Sequence, residues 1–167
     1  VLVTGADGFV GHHLVRRLLH AGHEVIGGRR PGGDEEPLRD PTLAGTRWMP
    51  LELADSQSVR GFCEHAADAV VHLAAVSSTP EALADPAGAW EINLMGVVRL
   101  LGALAERRAT GSADPAVLLV SSAEVYGRAD ARLRREDDPL APRSPYAASK
   151  AAAEVAGLEV WRRTGLR

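Results

Sequence analysis

Short apolar runs alternate with longer amphipathic stretches along the whole chain. The apolar runs predict five strands, at residues 1–4, 23–28, 46–53, 69–75 and 116–122. The stretches between them predict four helices. The first ends near residue 21, and the others span residues 56–66, 87–108 and 144–163. Ser56 is the expected N-cap of the second helix. Residues 30–45, rich in Pro, Gly and acid, and the polar residues 128–143 predict surface loops.

This alternation of strands and helices predicts one α/β domain over residues 1–167, with a parallel sheet covered on both faces. The run at 69–75 is apolar without alternation, as expected for a strand buried on both faces. Pro50 places the third strand at an edge. Right-handed crossovers then favour the doubly wound dinucleotide-binding (Rossmann) fold, with strand order 3-2-1-4-5.

Composition narrows the range of partners. The chain is 46% hydrophobic with a formal net charge of −3, which argues against nucleic acid or an anionic membrane as the main partner. No apolar run approaches the roughly 20 residues of a membrane span. A lone cysteine, Cys63, and the opening "VLVTG" without a signal peptide favour a cytoplasmic location. The missing initial Met and the ending "WRRTGLR" suggest a fragment, so a small substrate domain is expected beyond residue 167.

The histidines do not predict a metal site. His12, His13, His20 and His23 lie along one helix and just after it, without acids or a cysteine at ligand spacing. His72, inside the fourth strand, is expected to be buried and hydrogen-bonded rather than catalytic.

The first strand is followed by a glycine-rich turn, "TGADGFVG". Gly5 permits a tight turn, Gly8 allows the backbone to approach a pyrophosphate, and Gly11 lets the helix pack close to the strand. The free N–H groups at the helix N-terminus then favour phosphate. Since the turn lies between an apolar strand and an amphipathic helix, it predicts a dinucleotide site rather than a plain loop.

The end of the second strand discriminates between the two nicotinamide cofactors. NAD-binding proteins usually carry an acid there, whereas an arginine suits the 2′-phosphate of NADP. This chain has Arg29 and Arg30, and the next acid is Asp34. The pair therefore favours NADP over NAD, the alternative being two solvated surface arginines.

Lys150 is the single lysine of the chain and lies four residues after Tyr146, on the same face of the last helix. An ammonium group beside a tyrosine favours the phenolate, so the pair suits proton transfer coupled to hydride transfer. Ser121 and Ser122 lie at the carboxyl end of the predicted fifth strand and Glu124 follows them, in the place where ligands bind in this fold.

Six segments together resemble the extended short-chain dehydrogenase/reductase family, the NAD(P)-dependent sugar-nucleotide epimerases, dehydratases and reductases. They are "VTGADGFVG", "LELAD", "HLAAVSS", "INLMG", "SSAEVYG" and "PRSPYAASKAAAE". The resemblance covers essentially all 167 residues. It implies an enzyme that acts on a nucleotide-diphosphate sugar.

The resemblance also implies roles for individual residues. Ser122 would bind the reacting oxygen, Tyr146 would be the acid/base, and Lys150 would bind the nicotinamide ribose and lower the tyrosine pKa. The backbone around Gly5, Gly8 and Phe9 would hold the pyrophosphate. The remaining implied cofactor contacts are Glu52 and Leu53 at adenine, Leu73, Ala74 and Ala75 beyond the fourth strand, and Asn93 as a buttress of that loop. Ser77 and Glu124 would face the sugar.

The reaction type stays open between dehydratase, epimerase and 4-keto reductase. Glu124 matches a base of 4,6-dehydratases, but Ala123 stands where dTDP-glucose dehydratases carry an aspartate. With its paired arginines after the second strand, the chain resembles the branch of the family that contains GDP-mannose 4,6-dehydratase and GDP-6-deoxy-4-keto-hexose reductase. The family resemblance further implies a homodimer through a four-helix bundle of the 87–108 and 144–163 helices. A non-catalytic NAD(P)-binding sensor or assembly module is the alternative function.

Overall fold

The computed structural model describes residues 1–33, 35–128 and 133–167. These residues form one parallel sheet of five strands in the order β3-β2-β1-β4-β5, which confirms the predicted topology. The strands are β1 (Leu2–Thr4), β2 (Val25–Arg29), β3 (Thr46–Pro50), β4 (Ala69–His72) and β5 (Ala116–Leu119). Pro50 ends the edge strand β3, where a missing N–H is tolerated.

The α-helices among the described residues are α1 (Phe9–His20), α2 (Glu36–Arg39), α3 (Ser56–Cys63), α4 (Thr79–Ala84), α5 (Pro86–Trp90), α6 (Gly96–Ala109) and α7 (Pro145–Thr164). Short 3₁₀ helices occupy Pro41–Leu43 and Ala123–Tyr126. A π-helical segment, Glu91–Met95, joins α5 to α6. The long helix predicted over residues 87–108 is therefore continuous, but one segment of it is wound differently.

The sheet separates two hydrophobic cores because side chains alternate along β1. Leu2 packs into the core that contains Phe62 of α3 and Leu100 of α6. Val3 points the other way and packs with Val15 of α1. The central strand is thus covered on both faces, and the carboxyl ends of all five strands meet at one edge of the sheet.

Three local predictions were wrong or incomplete. The predicted 30–45 loop contains α2 and a 3₁₀ helix, whose N-cap Asp40 accepts a hydrogen bond from the Thr42 N–H. The cap of α3 is Asp55, which accepts from the Gln57 N–H, and not Ser56. Helix α4 was missed because it has only six residues, too few for an amphipathic period to show.

The α5–α6 region bears on the membrane prediction. Among the described residues, the continuous helix Pro86–Ala109 is long and apolar enough to cross a membrane by length and composition, which the sequence pattern did not predict. Such a signal is weak, because a core helix passes the same test. Here Val97, Leu100 and Leu104 pack in the core beside α3 and α7.

Cys63 is buried at the end of α3, and burial raises the pKa of its thiol to about 12. A thiol in that state is a poor nucleophile, which agrees with a packing role. Asp34, the acid that follows the two arginines, and residues 129–132 of the predicted 128–143 loop lie outside the described residues.

Candidate active site

The glycine turn brings α1 directly against β1 and β4. Gly5 adopts φ +64°, a backbone conformation that other residues rarely adopt, and a Cβ there would lie 2.8 Å from the backbone nitrogen of Ala74. A Cβ on Gly11 would lie 2.1 Å from the carbonyl oxygen of Gly5. The two glycines therefore allow a close approach of backbone to backbone that any side chain would prevent.

Helix α1 begins with a free N-terminus. Its N-cap is Gly8, which has no side chain, and among the described residues no side-chain cap accepts from the N–H groups of the first turn. The first two helical side chains, Phe9 and Val10, are 83% and 58% exposed although both are apolar. Unsatisfied amides beside exposed apolar groups suit a ligand that carries both a phosphate and a flat apolar ring.

A cavity of about 450 Å³ opens in front of this turn. Its walls come from the carboxyl ends of β1, β2, β3 and β4. The predicted residues that line it are Gly5, Gly8, Phe9, Gly11, Arg30, Glu52, Leu53, Leu73, Ala74, Ala75 and Ser77. Because its residues derive from four strand ends and one helix N-terminus, the cavity suits an elongated nucleotide ligand.

The two predicted arginines have different environments at the end of β2. Arg30 is exposed and lines the cavity. Arg29 is half-buried, and its guanidinium donates a hydrogen bond to the Gly33 carbonyl oxygen at 2.8 Å. Arg29 therefore supports the turn after β2, while Arg30 is the one of the pair that faces the cavity.

A buried polar cluster fixes the loop after β4. Thr4 Oγ1 lies 2.8 Å from His72 Nδ1 and also accepts from the N–H groups of Leu73 and Ala74. His72 is 1% exposed, and burial, with a smaller contribution from the charge of Lys150, lowers its pKa to about 3. The imidazole is therefore neutral at physiological pH and acts as a structural group, in the environment expected from the sequence.

Asn93 lies in the π-helical segment and supports the next part of the same loop. Its Oδ1 accepts from the Val76 N–H at 2.8 Å, and its Nδ2 donates to the Val76 carbonyl at 3.0 Å. Nδ2 also lies 3.0 Å from Ser149 Oγ of α7. The residue is 1% exposed and does not line the cavity, so it holds the loop between the cavity and α7.

Tyr146 and Lys150 lie one turn apart near the start of α7, whose N-cap Ser144 accepts from the Ala147 N–H. Tyr146 is 9% exposed and belongs to a hydrophobic cluster with Ala82 and Ala89; Val76, which lines the cavity, packs against this cluster. Lys150 is 6% exposed. Burial lowers the pKa of Lys150, and the carboxylate of Glu154 acts in the opposite direction.

Ser122 and Glu124 lie at the 3₁₀ helix that follows β5. Ser122 is its N-cap and accepts from the Glu124 N–H at 3.2 Å. The Glu124 carboxylate is exposed and accepts a hydrogen bond from Thr79 Oγ1 at 3.2 Å, across from the start of α4. Glu124 also lines a separate hollow of about 280 Å³ with Arg143 and Ser144.

The structure therefore groups the predicted residues in two sets. The nucleotide set lines the large cavity, whereas Arg29, Asn93, Ser122, Glu124, Tyr146 and Lys150 lie outside its lining. Val76 and the loop after β4 connect the two sets. Sequence reasoning missed seven lining residues, which are Asp7, Val10, Gly28, Leu51, Val76, Glu81 and Ile92. Asp7 could have been found, since it lies between two of the turn glycines.

Among the residues that the structure describes, no group of three or more His, Cys, Asp or Glu side chains is arranged to hold a metal ion. His12 instead lies 2.8 Å from the Asp40 carboxylate, and His13 lies against Phe9.

Comparison with known proteins places this site in a family. All 167 residues match the model of the NAD dependent epimerase/dehydratase family. A GDP-6-deoxy-D-mannose reductase of Pseudomonas aeruginosa is 38% identical over 156 residues, which is 92% of this chain and 44% of that protein. A dTDP-glucose 4,6-dehydratase of Streptomyces antibioticus is 34% identical over 176 residues, 99% of this chain and 50% of that protein.

A solved structure shows the same fold. The UDP-glucose 4-epimerase of Thermus thermophilus, in complex with NAD, matches with a TM-score of 0.83 and 32% identity, over 99% of this chain and 52% of that chain. The fold and the glycine-turn cavity define an NAD(P)-binding Rossmann domain. The chain belongs to the NAD-dependent epimerase/dehydratase family of sugar-nucleotide enzymes. It spans about half the length of the curated relatives that it matches.

Proposed function

We propose that the protein is an NADP-dependent enzyme that acts on a nucleotide-diphosphate sugar, with Tyr146 as the acid/base. The observation that carries this proposal is the position of Tyr146 and Lys150. Both are buried and lie one turn apart on α7, and the hydrophobic cluster that contains Tyr146 packs against Val76, which lines the nucleotide cavity. A pure binding module has no need of a buried ammonium one turn from a buried phenol.

The cavity fits a dinucleotide by its own geometry. Gly5 and Gly11 let the turn, α1 and the loop after β4 approach backbone to backbone beside the cavity, and among the described residues no side chain caps the N–H groups after Gly8, which would therefore be available to a pyrophosphate. The adenine end would lie at Glu52 and Leu53. The nicotinamide end would lie beyond Leu73 and Ala75, toward α7. When bound, NADP would supply the hydride acceptor and donor.

The residues of the chain would then handle the proton. Tyr146 would move a proton to or from the sugar oxygen at its phenolic oxygen, and the nearby Lys150 ammonium would favour the phenolate. Ser122 would hold the same sugar oxygen by a hydrogen bond. Glu124, held by Thr79 at the start of α4, would contact the sugar together with Ser77. Asn93 would keep the loop after β4 in register with α7 through Val76 and Ser149.

Arg30 supports NADP over NAD. Arg30 is exposed and lines the cavity after β2, within reach of the place where a 2′-phosphate is expected, whereas the Arg29 guanidinium donates to the Gly33 carbonyl oxygen. The test compares NADPH and NADH affinity for the wild type and for Arg30→Ala. The matched control is Arg39→Ala, an exposed arginine on α2 that pairs with Glu35. A specific loss of NADPH affinity in Arg30→Ala is expected, and a wild-type preference for NADH would overturn the NADP assignment.

The sugar and the reaction are tested with a substrate panel. Full-length protein is incubated with GDP-, UDP- and dTDP-linked sugars and their 4-keto forms, with each cofactor in turn. The 38% identity to a GDP-6-deoxy-D-mannose reductase supports GDP-linked 4-keto sugars as the first substrates to assay. Ala123 argues against a dTDP-glucose dehydratase. Turnover of a sugar nucleotide supports the proposal, and cofactor binding without turnover of any of them would favour the sensor alternative.

A homodimer through α5–α6 and α7 belongs to the same proposal. These helices carry apolar side chains that are exposed in the monomer: Trp90, Met95, Val98, Val155, Leu158 and Trp161. A surface of this kind is typical of a protein–protein contact. Light scattering of the full-length protein tests it, because replacing Val155 and Leu158 by Lys should then shift a dimer to a monomer.

A further inference from the structure

Asp7 is an acid of the glycine turn and one of the residues that line the nucleotide cavity. It is half-buried, and among the described residues no hydrogen bond or ion pair engages its carboxylate. Two other acids line the same cavity. Glu52 accepts from the Ala54 N–H at 3.1 Å, and Glu81 lies on α4, beyond the loop after β4. The turn therefore carries a carboxylate whose acceptor atoms remain available to a ligand.

The Asp7 carboxylate lies beside the turn that follows β2. The Ala6 N–H donates to the Gly28 carbonyl oxygen at 3.3 Å, so the glycine turn runs along the end of β2. The Gly33 N–H donates to the Arg30 carbonyl oxygen at 3.1 Å, which closes a tight turn there. A Cβ on Gly33 would lie 3.4 Å from Asp7 Oδ2 and 3.1 Å from that carbonyl oxygen. The carboxylate and the backbone of Arg30 are therefore neighbours of the same point.

This position matters because the end of β2 is where the fold recognises the adenosine ribose. A carboxylate there accepts from the ribose hydroxyls, whereas an arginine accommodates a 2′-phosphate. In this chain the strand itself runs into Arg29 and Arg30, and the acid reaches the same place from the neighbouring turn. A carboxylate attracts a hydroxyl and repels a phosphate, so Asp7 and Arg30 act in opposite directions on the 2′ substituent.

We propose that Asp7 is a cofactor-specificity residue, which accepts a hydrogen bond from the adenosine ribose of NAD and opposes Arg30 in the binding of a 2′-phosphate. The proposal rests on the proposed function only because it takes the cavity to bind a nicotinamide dinucleotide. NADP is then held by Arg30 despite the repulsion from Asp7. The protein accordingly discriminates between the two cofactors less strongly than Arg30 alone would.

Titrations of full-length protein with NADPH and with NADH test the role of Asp7. Asp7→Asn keeps the size of the side chain and removes its charge. NADPH should then bind about fivefold more tightly, and the ratio of NADPH to NADH affinity should rise about tenfold. The ratio for 2′-phospho-ADP-ribose and ADP-ribose should rise equally, because Asp7 acts at the adenosine end of the cofactor.

Two further variants separate this charge from other effects. Glu81→Gln removes a carboxylate from α4, away from β2, and should leave the ratio of affinities unchanged. Asp7→Ser places a short neutral side chain in the turn and should reproduce the rise seen in Asp7→Asn. A ratio within about twofold of the wild type in both Asp7 variants would overturn the proposal, as would an equal rise in Glu81→Gln.

Failure of the proposed function gives a different result. If the wild type prefers NADH and Arg30→Ala leaves NADPH affinity unchanged, the NADP assignment is lost, although the ratio still rises in Asp7→Asn. If no sugar nucleotide is turned over, the enzyme assignment is lost while the effect of Asp7 on affinity remains. If Arg30→Ala weakens NADPH binding but neither Asp7 variant changes the ratio, the NADP assignment stands and the role of Asp7 is refuted.

Discussion

His72 makes the fold sensitive to acid, since its imidazole is neutral in the folded chain and free to take a proton in the unfolded chain. The ring is 1% exposed, Nδ1 lies 2.8 Å from Thr4 Oγ1, and Nε2 has no hydrogen-bond partner among the described residues. Protonation would therefore place a charge in a site that can neither hydrate it nor pair it, near the Lys150 ammonium.

The magnitude follows from the two pKa values. The folded value is about 3 and the ordinary value is 6.5, a difference of about 3.5 units. Each unit corresponds to about 1.4 kcal/mol, so the full effect is about 5 kcal/mol. Because the unfolded chain binds the proton first, this stability is present above pH 6.5 and is lost as the pH falls toward 3. At pH 4.5, about two units below 6.5, the loss is about 3 kcal/mol.

The assay is urea unfolding at pH 7.5 and at pH 4.5, for the wild type and for His72→Asn. Asn can keep a partner for Thr4 Oγ1 but does not titrate, so its acid loss should be about 3 kcal/mol smaller than that of the wild type. His23→Asn, at an exposed histidine, is the matched control and should behave as the wild type. Equal losses of stability in the wild type and in His72→Asn would refute this account of His72.

Three further substitutions test the fold around the site. Gly11→Ala should lower the free energy of unfolding by about 3 kcal/mol or more and abolish cofactor binding, because the new Cβ would lie 2.1 Å from the Gly5 carbonyl oxygen. Near-normal thermal stability of this variant would contradict the tight turn. Asn93→Leu should cost about 3 kcal/mol in urea unfolding by leaving the polar groups of Val76 unpaired, and a loss below about 1 kcal/mol would show that the buttress is dispensable. Asp55→Ala should lower the free energy of unfolding by about 1 kcal/mol in urea unfolding, and Ser56→Ala should lower it by less. The reverse order would show that Ser56 is the cap.

The fold could be predicted because its signals are local. Strand and helix periods, the position of Pro50 and the glycine turn each depend on a few neighbouring residues, and the strand order follows from them with the handedness of crossovers. The errors occurred where a helix was too short to show a period, or where two adjacent residues could both serve as the cap. Helix α4 has six residues, and Asp55 and Ser56 are adjacent residues that can both cap.

The candidate site could be predicted only in part. Gly5, Gly8 and Gly11 follow from the glycine turn, whereas Glu52, Leu53 and the residues after β4 were expected only from the family resemblance. Glu81 of α4 and Ile92 of the π-helical segment were missed, because they lie outside the turn and the strand ends. The hydrogen bonds of Asn93 to Val76 and Ser149, and the bond between Ser121 and Glu154, join residues far apart in sequence. Such contacts depend on how α7 packs against the sheet, which no local period encodes. The different environments of Arg29 and Arg30 likewise depend on the backbone of the turn at Gly33.

Proton transfer by Tyr146 in a reaction on a nucleotide-diphosphate sugar is the central claim. Its most direct test is a comparison of wild-type and Tyr146→Phe full-length protein, measuring NADPH affinity by titration and turnover of the sugar nucleotide found in the panel. Phe keeps the packing against Val76 and Ala82 and removes only the phenolic oxygen. We expect unchanged NADPH affinity and a fall in turnover of about 100-fold or more. Turnover within about twofold of the wild type, at the same NADPH affinity, would contradict the claim.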